Sequence, residues 1–356
     1  MIRRRLPAVS LLLTLTLILL AGCGTGGAKG IDTAGSGSQE GESGSKAIIP
    51  VRLVEAWYSK GEDGGYFAAL QQGYYKDAGI DMSIQPGGPQ VSGLQMVAAG
   101  QADFGISYGD EILKAREEGI PVVGLLAAFQ YTPQVFMFHK GENITDFKDM
   151  NGRAVYTTPG ALYWEFIKKQ YKLDKVKEFA YTGQLANFIN DSKSLNQGYI
   201  TNEPYALQQE NVDVSFLKVK DSGYANYADV LFTTEKFIKE HPDVVAAVVQ
   251  ATQKGWGYYN ENYKTVNPFI QTYNKDMPTA AMDYEAEHQK EFIVTDETKS
   301  NGIGYMTKDR WQKIMEQMTD MGVLTKPQDA EKAFTTEFLK KIACFANEEV
   351  DNKQSI

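Results

Sequence analysis

The sequence predicts an α/β protein of two lobes, and two observations indicate this fold class. Short apolar, β-branched runs alternate with amphipathic helical stretches from Val51 onward, which favours mainly parallel sheets covered by helices. This alternation runs through two successive series before the chain turns helical from Thr234 to its end. The pattern therefore predicts that a second lobe is inserted into the first, with two segments crossing between them and a binding crevice where the strands end.

The elements follow in order along the chain. In the first series, strands are predicted at 51–56, 80–85, 104–107 and 122–129, with helices at 65–75, 90–99 and 110–118. In the second series, strands at 135–138, 152–157, 178–181, 198–201 and 214–217 alternate with helices at 161–171, 185–191 and 204–210. Crossings are expected near 130–134 and 228–233. The first lobe then comprises residues 47–131 and 234–345, and the second lobe comprises 132–233.

The N-terminal segment is built like a bacterial lipoprotein signal at residues 1–22. Arg3, Arg4 and Arg5 precede an apolar run at 11–20, which is too short to span a membrane. The residues just before Cys23 (Leu-Ala-Gly) resemble a lipobox, whereas the alternative is an ordinary secretory peptide with a chance cysteine. The mature chain is expected to begin at a lipidated Cys23, followed through residue 46 by a Gly- and Ser-rich linker too poor in apolar residues to fold.

Composition excludes several classes of function. The formal net charge of −9 argues against nucleic acid as a partner, because such proteins need a basic footprint. With Cys23 lipidated, Cys344 has no partner for an intramolecular disulfide and is expected to be a buried thiol in a helix. The three histidines lie far apart, in no metal-ligand spacing, so neither a metal nor another cofactor is expected.

Three motifs resemble solute-binding proteins of ABC importers. They are GYYKDAGI at 73–80, VAAGQADFG at 97–105 and NGRAV at 151–155, within a likeness that runs from 51 to about 272. The resemblance is to the branch of thiamine-pyrimidine-binding and alkanesulfonate-binding proteins and yeast thiamine-pyrimidine synthase. It implies a bilobal type II periplasmic-binding-protein fold. It also implies a receptor that closes on a small molecule and delivers it to a membrane permease.

Candidate ligand contacts in the first lobe follow the ends of predicted strands. Trp57 and Tyr58 come just after the first strand, where their rings could stack on a flat heterocycle; packing between the lobes is the alternative for Trp57. Gln90 ends a Gly-Gly-Pro-Gln loop whose free N–H groups could hold an anion or a carbonyl, although a plain strand–helix turn explains it equally. Tyr108 follows the third strand at the same edge.

Candidate contacts in the second lobe lie in two strand–helix junctions. Thr158 and Gly160 belong to a turn whose hydroxyl and N–H groups suit a polar ligand edge, and Tyr163 in the next helical turn faces either cleft or core. Asn202 and Glu203 precede a proline that opens a helix. The family resemblance places an acidic residue at this strand end, so Glu203 could accept a hydrogen bond from a ring amino group; helix capping is the alternative.

The expected function is a lipid-anchored receptor outside the cytoplasm for a small heteroaromatic nutrient, with a thiamine-precursor pyrimidine as the first candidate. Riboflavin, taurine or an alkanesulfonate is the alternative within this class, and the lack of an obvious Arg or Lys at the strand ends weighs against a sulfonate. The resembling synthase carries a histidine in the first-lobe loop and a cysteine-rich cluster later. Residues 60–64 hold no histidine and 225–234 no cysteine, so an enzyme is not expected; an adhesin or sensor ectodomain stays open.

Overall fold

A computed structural model of the protein describes residues 48–342 and Cys344. The predicted signal segment, Cys23 and the linker lie outside the described residues. Within the part of the chain that is described, no helix combines the length and the apolar composition that a membrane span requires.

Ten strands form two five-stranded sheets in the described residues. In chain order they are β1 (Ile49–Val54), β2 (Ile80–Gln85), β3 (Phe104–Ser107), β4 (Val122–Phe129), β5 (Gln134–His139), β6 (Ala154–Thr157), β7 (Lys177–Ala180), β8 (Leu195–Tyr199), β9 (Val214–Lys218) and β10 (Ala228–Thr234). The first sheet has the order β2-β1-β3-β10-β4 and the second β7-β6-β8-β5-β9. Each sheet is the centre of one lobe, so the predicted bilobal α/β architecture is confirmed.

The sheets are mixed rather than mainly parallel. In the first sheet β10 runs antiparallel to β3 and β4, while β1 is parallel to β2 and β3. In the second sheet β5 runs antiparallel to β8 and β9, while β6 is parallel to β7 and β8. The reversed strand in each sheet is the first one that the chain forms after crossing from the other lobe.

The chain crosses between the sheets twice. The first crossing joins the end of β4 at Phe129 to the start of β5 at Gln134, and the second joins β9 to β10 through 219–227. The second crossing expected at 228–233 is wrong, because these residues pair with β3 and β4 and belong to the first lobe. The strand is hard to recognise in the sequence because a helix begins at the very next residue, Glu235, so the short apolar run of the strand is read together with the helical pattern that follows it.

Twelve helices cover the sheets in the described residues. They are α1 (Gly64–Gln71), α2 (Tyr74–Asp77), α3 (Gly93–Ala98), α4 (Gly109–Glu117), α5 (Leu162–Tyr171), α6 (Ala186–Asn190), α7 (Glu203–Gln209), α8 (Glu235–Glu240), α9 (Pro242–Ile270), α10 (Thr279–Ile293), α11 (Asp296–Asn301) and α12 (Lys308–Asp320). Cys344 is buried as expected, but residues 336–342 before it form no helix.

Helices α1 and α9 pack unusually closely in the first lobe. A Cβ atom at Gly65 would overlap the ring of Trp256, and one at Gly255 would overlap the carbonyl oxygen of Gly65. Trp256 is fully buried and meets Phe129 of β4 edge-on. This packing fixes the start of α1, and with it the loop after β1 that enters the cleft.

Candidate functional site

A cavity of about 820 Å³ lies between the two lobes, beside the ends of three strands. Trp57 follows β1, Tyr108 follows β3, and Asn202 and Glu203 follow β8, and all four line this cavity. Because β1 and β3 are parallel neighbours, their following loops meet at one edge of the first sheet, opposite the loop after β8. Helices α3 and α4 form much of the remaining wall.

A second cavity of about 50 Å³ continues the large one inward, because both are lined by Trp57, Tyr108 and Tyr199. Its other walls include the charged residues Lys60 and Asp229. The cleft is therefore wide and partly apolar near its mouth and narrow and charged at its floor.

Trp57 and Tyr58 form an exposed aromatic pair at the cleft. Their rings meet edge to face with centroids 5.6 Å apart, and 47% of Trp57 and 51% of Tyr58 is exposed. Trp57 lines both cavities, whereas Tyr58 lies over Gly88 and lines neither. Trp57 therefore has an exposed ring at both cavities, and Tyr58 supports that ring from the side.

Tyr108 and Tyr199 bring the two lobes into contact across the cleft. Their hydroxyl oxygens are 3.3 Å apart, and the Gln134 side-chain amide also donates to the Tyr199 hydroxyl at 3.3 Å. The neighbouring Tyr199 hydroxyl and burial raise the pKa of Tyr108, and burial raises the pKa of Tyr199. Both tyrosines therefore stay protonated and can donate hydrogen bonds.

Glu203 lines the cavity but already has partners within its own lobe. Its Oε2 atom accepts a hydrogen bond from the Tyr199 backbone N–H at 2.7 Å, and its Oε1 atom accepts one from the Tyr181 hydroxyl at 3.2 Å. Burial raises the pKa of Glu203. The carboxyl group joins the end of β8 to the start of α7 and also borders the cavity, but no side-chain hydrogen bond caps α7, whose N-cap residue is Asn202.

Besides Tyr58, four further candidate residues line neither cavity. Gln90 is exposed beyond the strand end, and Gly160 sits in an exposed turn with a φ of 76°. The side chain of Gln197 holds the other two: its Oε1 atom accepts from the Thr158 N–H at 2.6 Å and from the Tyr163 hydroxyl at 2.5 Å. These hydrogen bonds hold the β6–α5 turn against β8.

Lys60 is a cavity residue that the sequence analysis missed. It lies in the loop after Trp57, forms an ion pair with Glu62, and has its ammonium group 5.6 Å from the centre of the Tyr199 ring. Burial opposes its charge, but Glu62 and Glu285 outweigh this effect and raise the pKa of Lys60. No Arg or Lys is obvious at the strand ends in the sequence, but Lys60 and Lys114 both line the large cavity, where Lys60 is paired with Glu62 and Lys114 with Glu117.

A cluster of buried carboxyl groups surrounds the floor of the cleft. Glu55, Asp63 and Asp229 lie close enough to repel one another when charged. Burial raises the pKa of Asp63 to about 7 and raises those of Glu55 and Asp229 well above their usual values. One signal of this cluster is present in the sequence, namely the Glu-Asp pair at 62–63 in the loop after β1.

Solved structures of similar fold define the class of this two-lobed architecture. The periplasmic sulfonate-binding protein SsuA from Methylobacillus flagellatus matches at a TM-score of 0.63 with 15% identity, over 82% of this chain and 93% of that one. SsuA from Escherichia coli matches at 0.60 with 13% identity, over 80% and 91%. The desulfurization enzyme DSZB matches at 0.56 with 12% identity, over 81% and 97%. The chain thus has the fold of the periplasmic binding proteins.

A family model is more specific than the fold. The model described as NMT1/THI5 like matches residues 62–264, more than half of the chain, and the protein belongs to this family. The match extends from the loop after β1 into α9, and so takes in both sheets except β1.

Curated relatives include both binding proteins and enzymes. The formylaminopyrimidine-binding protein of Halalkalibacterium halodurans is 23% identical over 91% of this chain and 97% of its own length. The riboflavin-binding protein RibY of Chloroflexus aurantiacus is 24% identical over 77% and 81%. The 4-amino-5-hydroxymethyl-2-methylpyrimidine phosphate synthase of Legionella pneumophila is 21% identical over 83% and 96%.

Proposed function

We propose that this protein is a solute-binding protein of an ABC importer that captures a small heteroaromatic nutrient, with a thiamine-precursor pyrimidine as the first candidate. The observation that carries the proposal is the ring of Trp57, which is half exposed inside a cavity between two lobes. A flat ring stacked on it would gain about 0.5–1.5 kcal/mol beyond the burial of area. The two binding-protein relatives, one for a formylaminopyrimidine and one for riboflavin, both carry names of heteroaromatic ligands.

The polar groups opposite Trp57 suit the edge of such a ring. Tyr108 and Tyr199 have hydroxyl groups that donate, Asn202 can donate and accept, and Glu203 accepts. A few polar groups at fixed positions in a largely apolar cavity are typical of small-molecule sites, because they set the orientation of the ligand. We propose that these four residues read the ring edge while Trp57 binds its face.

Riboflavin is the second candidate because of the size of the cavity. A volume of about 820 Å³ lies in the upper part of the range of about 300–1,000 Å³ for ligand sites, and a pyrimidine alone would leave much of it to water. An alkanesulfonate or taurine fits less well. Its anionic group would meet a floor of carboxyl groups, and Lys60 is already paired with Glu62.

A binding role also fits the side chains better than the synthase activity of some relatives. The residues that line the two cavities include neither histidine nor cysteine. The resembling synthase carries a histidine in the first-lobe loop and a cysteine-rich cluster later in its chain, and this chain lacks both. We therefore propose a receptor without catalytic residues. A pyridoxal-type absorbance in the purified protein would contradict this proposal.

The membrane anchor is proposed from the sequence, since Cys23 lies outside the described residues. We propose that a lipid on Cys23 holds the protein at the outer face of the cell membrane, where it delivers its ligand to a permease. Replacing Cys23 with Ser should release the protein from the membrane fraction while its ligand affinity stays the same. Retention of the Cys23→Ser variant at the membrane would contradict the lipid anchor.

The ligand class can be tested by measuring thermal unfolding of the full chain with aminopyrimidines, thiamine, riboflavin, taurine and alkanesulfonates. A ligand present at about 100 times its Kd stabilises the folded state by about 2.7 kcal/mol, which raises the unfolding midpoint measurably. Stabilisation by a pyrimidine or by riboflavin supports the proposal. Stabilisation by sulfonates alone would contradict the heteroaromatic ligand and keep the importer role.

The contact of Glu203 with the ring edge has its own test. Glu203→Gln keeps the size of the side chain but replaces one accepting oxygen by a donor, so an amino-bearing pyrimidine should bind about 10-fold more weakly. Glu210→Gln, at the exposed end of the same helix, is the matched control and should bind normally. Equal affinities of both variants, measured by calorimetry, would exclude Glu203 from the ligand contacts.

A further inference from the structure

The floor of the cleft is lined by charged residues that take no part in the proposed contacts with the ring. The cavity of about 50 Å³ beneath the ligand cavity is lined by the carboxyl groups of Glu62, Asp63 and Asp229, together with Lys60. Each of these carboxyl residues lies in the first lobe, in the loop after β1 or in β10. The acidic wall of the floor thus belongs to the first lobe, while Tyr199 of the second lobe borders the same cavity from the other side.

The negative charge of this floor exceeds the positive charge that the protein places there. Lys60 is paired with Glu62, while Glu55, Asp63 and Asp229 are packed around the same point. Such groups can be buried together only if some hold a proton or if a cation joins them. Lys60 is already paired with Glu62, so the remaining carboxyl groups hold protons in the ligand-free protein, and a cationic group that enters the cavity can take the place of such a proton.

One oxygen atom at the floor lacks a partner. Asp229 Oδ1 accepts a hydrogen bond from the Tyr66 hydroxyl at 3.1 Å, but the buried Oδ2 atom has none among the described residues. An unsatisfied buried carboxyl oxygen is costly, so it marks a place where a donor is missing. Because Asp229 lines the small cavity, a donor placed in that cavity would lie next to this residue.

The surroundings indicate which kind of donor fits. A volume of about 50 Å³ takes a group the size of a few waters, at roughly 10–15 Å³ each, and not a second ring. Trp57, Tyr108 and Tyr199 line the same cavity, and aromatic faces attract organic cations. Among the described residues, no group of carboxyl, histidine or cysteine side chains is arranged to hold a metal ion. The walls thus suit an ammonium or amidinium group.

We propose that the floor lined by Asp63 and Asp229 is a subsite for a positively charged nitrogen group of the ligand, so that the protein selects a cationic heteroaromatic compound over its neutral analogue. This inference rests on the proposed function, because the ring on Trp57 holds the ligand whose charged substituent enters the floor. The lysine ammonium already found 5.6 Å from the centre of the Tyr199 ring is the chain's own example of such a group in this place.

The test compares two pyrimidines that differ only in this charge. 4-Amino-5-aminomethyl-2-methylpyrimidine carries an ammonium group where 4-amino-5-hydroxymethyl-2-methylpyrimidine carries a hydroxyl of similar size. Calorimetry near neutral pH on the full chain should give an affinity for the amine at least about 10-fold higher than for the alcohol. Asp229→Asn should reduce this preference to less than about 3-fold. Asp81→Asn, the same substitution on an exposed part of β2, should keep the full preference.

Each other outcome overturns a different statement. If the wild-type chain binds the alcohol as tightly as the amine, the cationic subsite is wrong and the receptor for a heteroaromatic ring stands. The same holds if Asp229→Asn keeps the full preference, because the charge is then read elsewhere. If the wild-type chain binds neither compound, a pyrimidine ligand is wrong and the subsite inferred for it falls too. The wild-type comparison needs no variant to fold.

Discussion

At the scale of single residues, whether a side chain at a strand end can contact a ligand depends on whether neighbouring residues already form hydrogen bonds with its polar atoms. Tyr163 and Thr158 follow β6 at the edge that should meet a ligand, yet Gln197 of the adjacent β8 takes their donors. Trp57 has no such neighbour and stays half exposed in the cavity. Sequence spacing predicts both cases equally well, because it does not reveal the residue that stands opposite on the next strand.

Trp57 should carry a large share of the ligand affinity. Trp57→Ala removes a stacked ring, with an expected loss of about 1–3 kcal/mol or roughly 5- to 150-fold in Kd. Phe179→Ala is the matched control, because Phe179 is equally exposed at 47% but stacks on Tyr156 away from the cavities. Calorimetry on both variants checks this prediction, and a loss of affinity in the control alone would contradict it.

The same residue provides a signal of binding. Trp164, Trp256 and Trp311 are fully buried, so Trp57 is the one tryptophan of the four whose emission a ligand in the cleft should change directly. A fluorescence titration of the wild-type chain should therefore show a blue shift or quenching on binding. Trp57→Phe should abolish this change while binding itself remains measurable by calorimetry. A fluorescence change that persists in Trp57→Phe would mean that the ligand binds elsewhere or acts through the buried rings.

At the scale of elements, glycines set the distance between α1 and α9. Gly255 faces the backbone of Gly65, and a methyl group there would force the helices apart. We expect Gly255→Ala to destabilise the fold by about 1–3 kcal/mol, the usual cost of overpacking, although alanine is the better helix former. Urea unfolding measures this cost.

Gly93→Ala is the matched control for this helix contact. A Cβ atom at Gly93, at the start of α3, would meet its nearest neighbour at an ordinary 3.5 Å. This variant should be neutral or up to about 1 kcal/mol more stable than the wild type, because alanine loses less backbone entropy. Similar stabilities of the two variants would contradict the close packing of α1 on α9.

At the scale of the whole molecule, closure of the cleft depends on contacts between the lobes. The hydroxyls of Tyr108 and Tyr199 meet there, and Glu62 accepts a hydrogen bond from Thr201 of the second lobe. Glu291 of α10 holds Lys218 and Lys220 of the second lobe at another point of the interface. The first two contacts lie at the ligand cavity, so they are the ones through which a ligand can favour the closed form.

Tyr108→Phe should weaken ligand binding without changing the fold. It keeps the ring that lines the cavity and removes the hydroxyl that meets Tyr199, so affinity should fall by about 0.5–1.5 kcal/mol, or 2- to 12-fold. Tyr263→Phe, which removes a hydroxyl bonded to Glu287 on the exposed surface, is the control. The variants should unfold at similar urea concentrations. Unchanged affinity in Tyr108→Phe would exclude this hydroxyl from closure and binding.

The carboxyl cluster should make the ligand-free protein less stable as pH rises. Burial raises the pKa of Asp63 from about 3.8 to about 7, and raises that of Asp229 well above its usual value. The folded state therefore binds more protons than the unfolded state between these values, and the free energy of unfolding is largest below about pH 4 for this cluster and falls toward pH 7. Groups with a lowered pKa, such as Glu117 at about 2, act only at more acidic pH.

The variant Asp229→Asn tests this linkage. It removes one titrating group and keeps an oxygen for the Tyr66 hydroxyl, so its unfolding midpoint should fall less than that of the wild type between about pH 5 and pH 8. A difference of 1 kcal/mol corresponds to about 2–4 °C in a domain of this size class. Parallel melting curves for the two proteins, with Asp81→Asn as reference, would contradict the raised pKa of Asp229.

From the sequence alone, the class of the fold and the order of the elements from β1 to β9 could be predicted, whereas β10 was not recognised as a strand. Strand and helix periods are local properties, so β2, β3 and β4 could be predicted to the residue and most helices to within one or two. The motifs that resemble ABC-importer receptors are also local, and the family match agrees with them. For the same reason, Trp57, Tyr108, Asn202 and Glu203 could be placed at strand ends, where they do line the cavity.

Only the tertiary structure decided what depends on residues far apart in the chain. Strand β10 pairs with β3 across more than a hundred residues, which no period in the sequence reports. The same holds for the floor of the cleft, where β10 brings Asp229 to Asp63 and Lys60 in the loop after β1. A buried cluster of charged residues arises from proximity in space and not from spacing along the chain. The charged floor therefore cannot be predicted from either segment alone, because it exists only where the fold brings the two segments together.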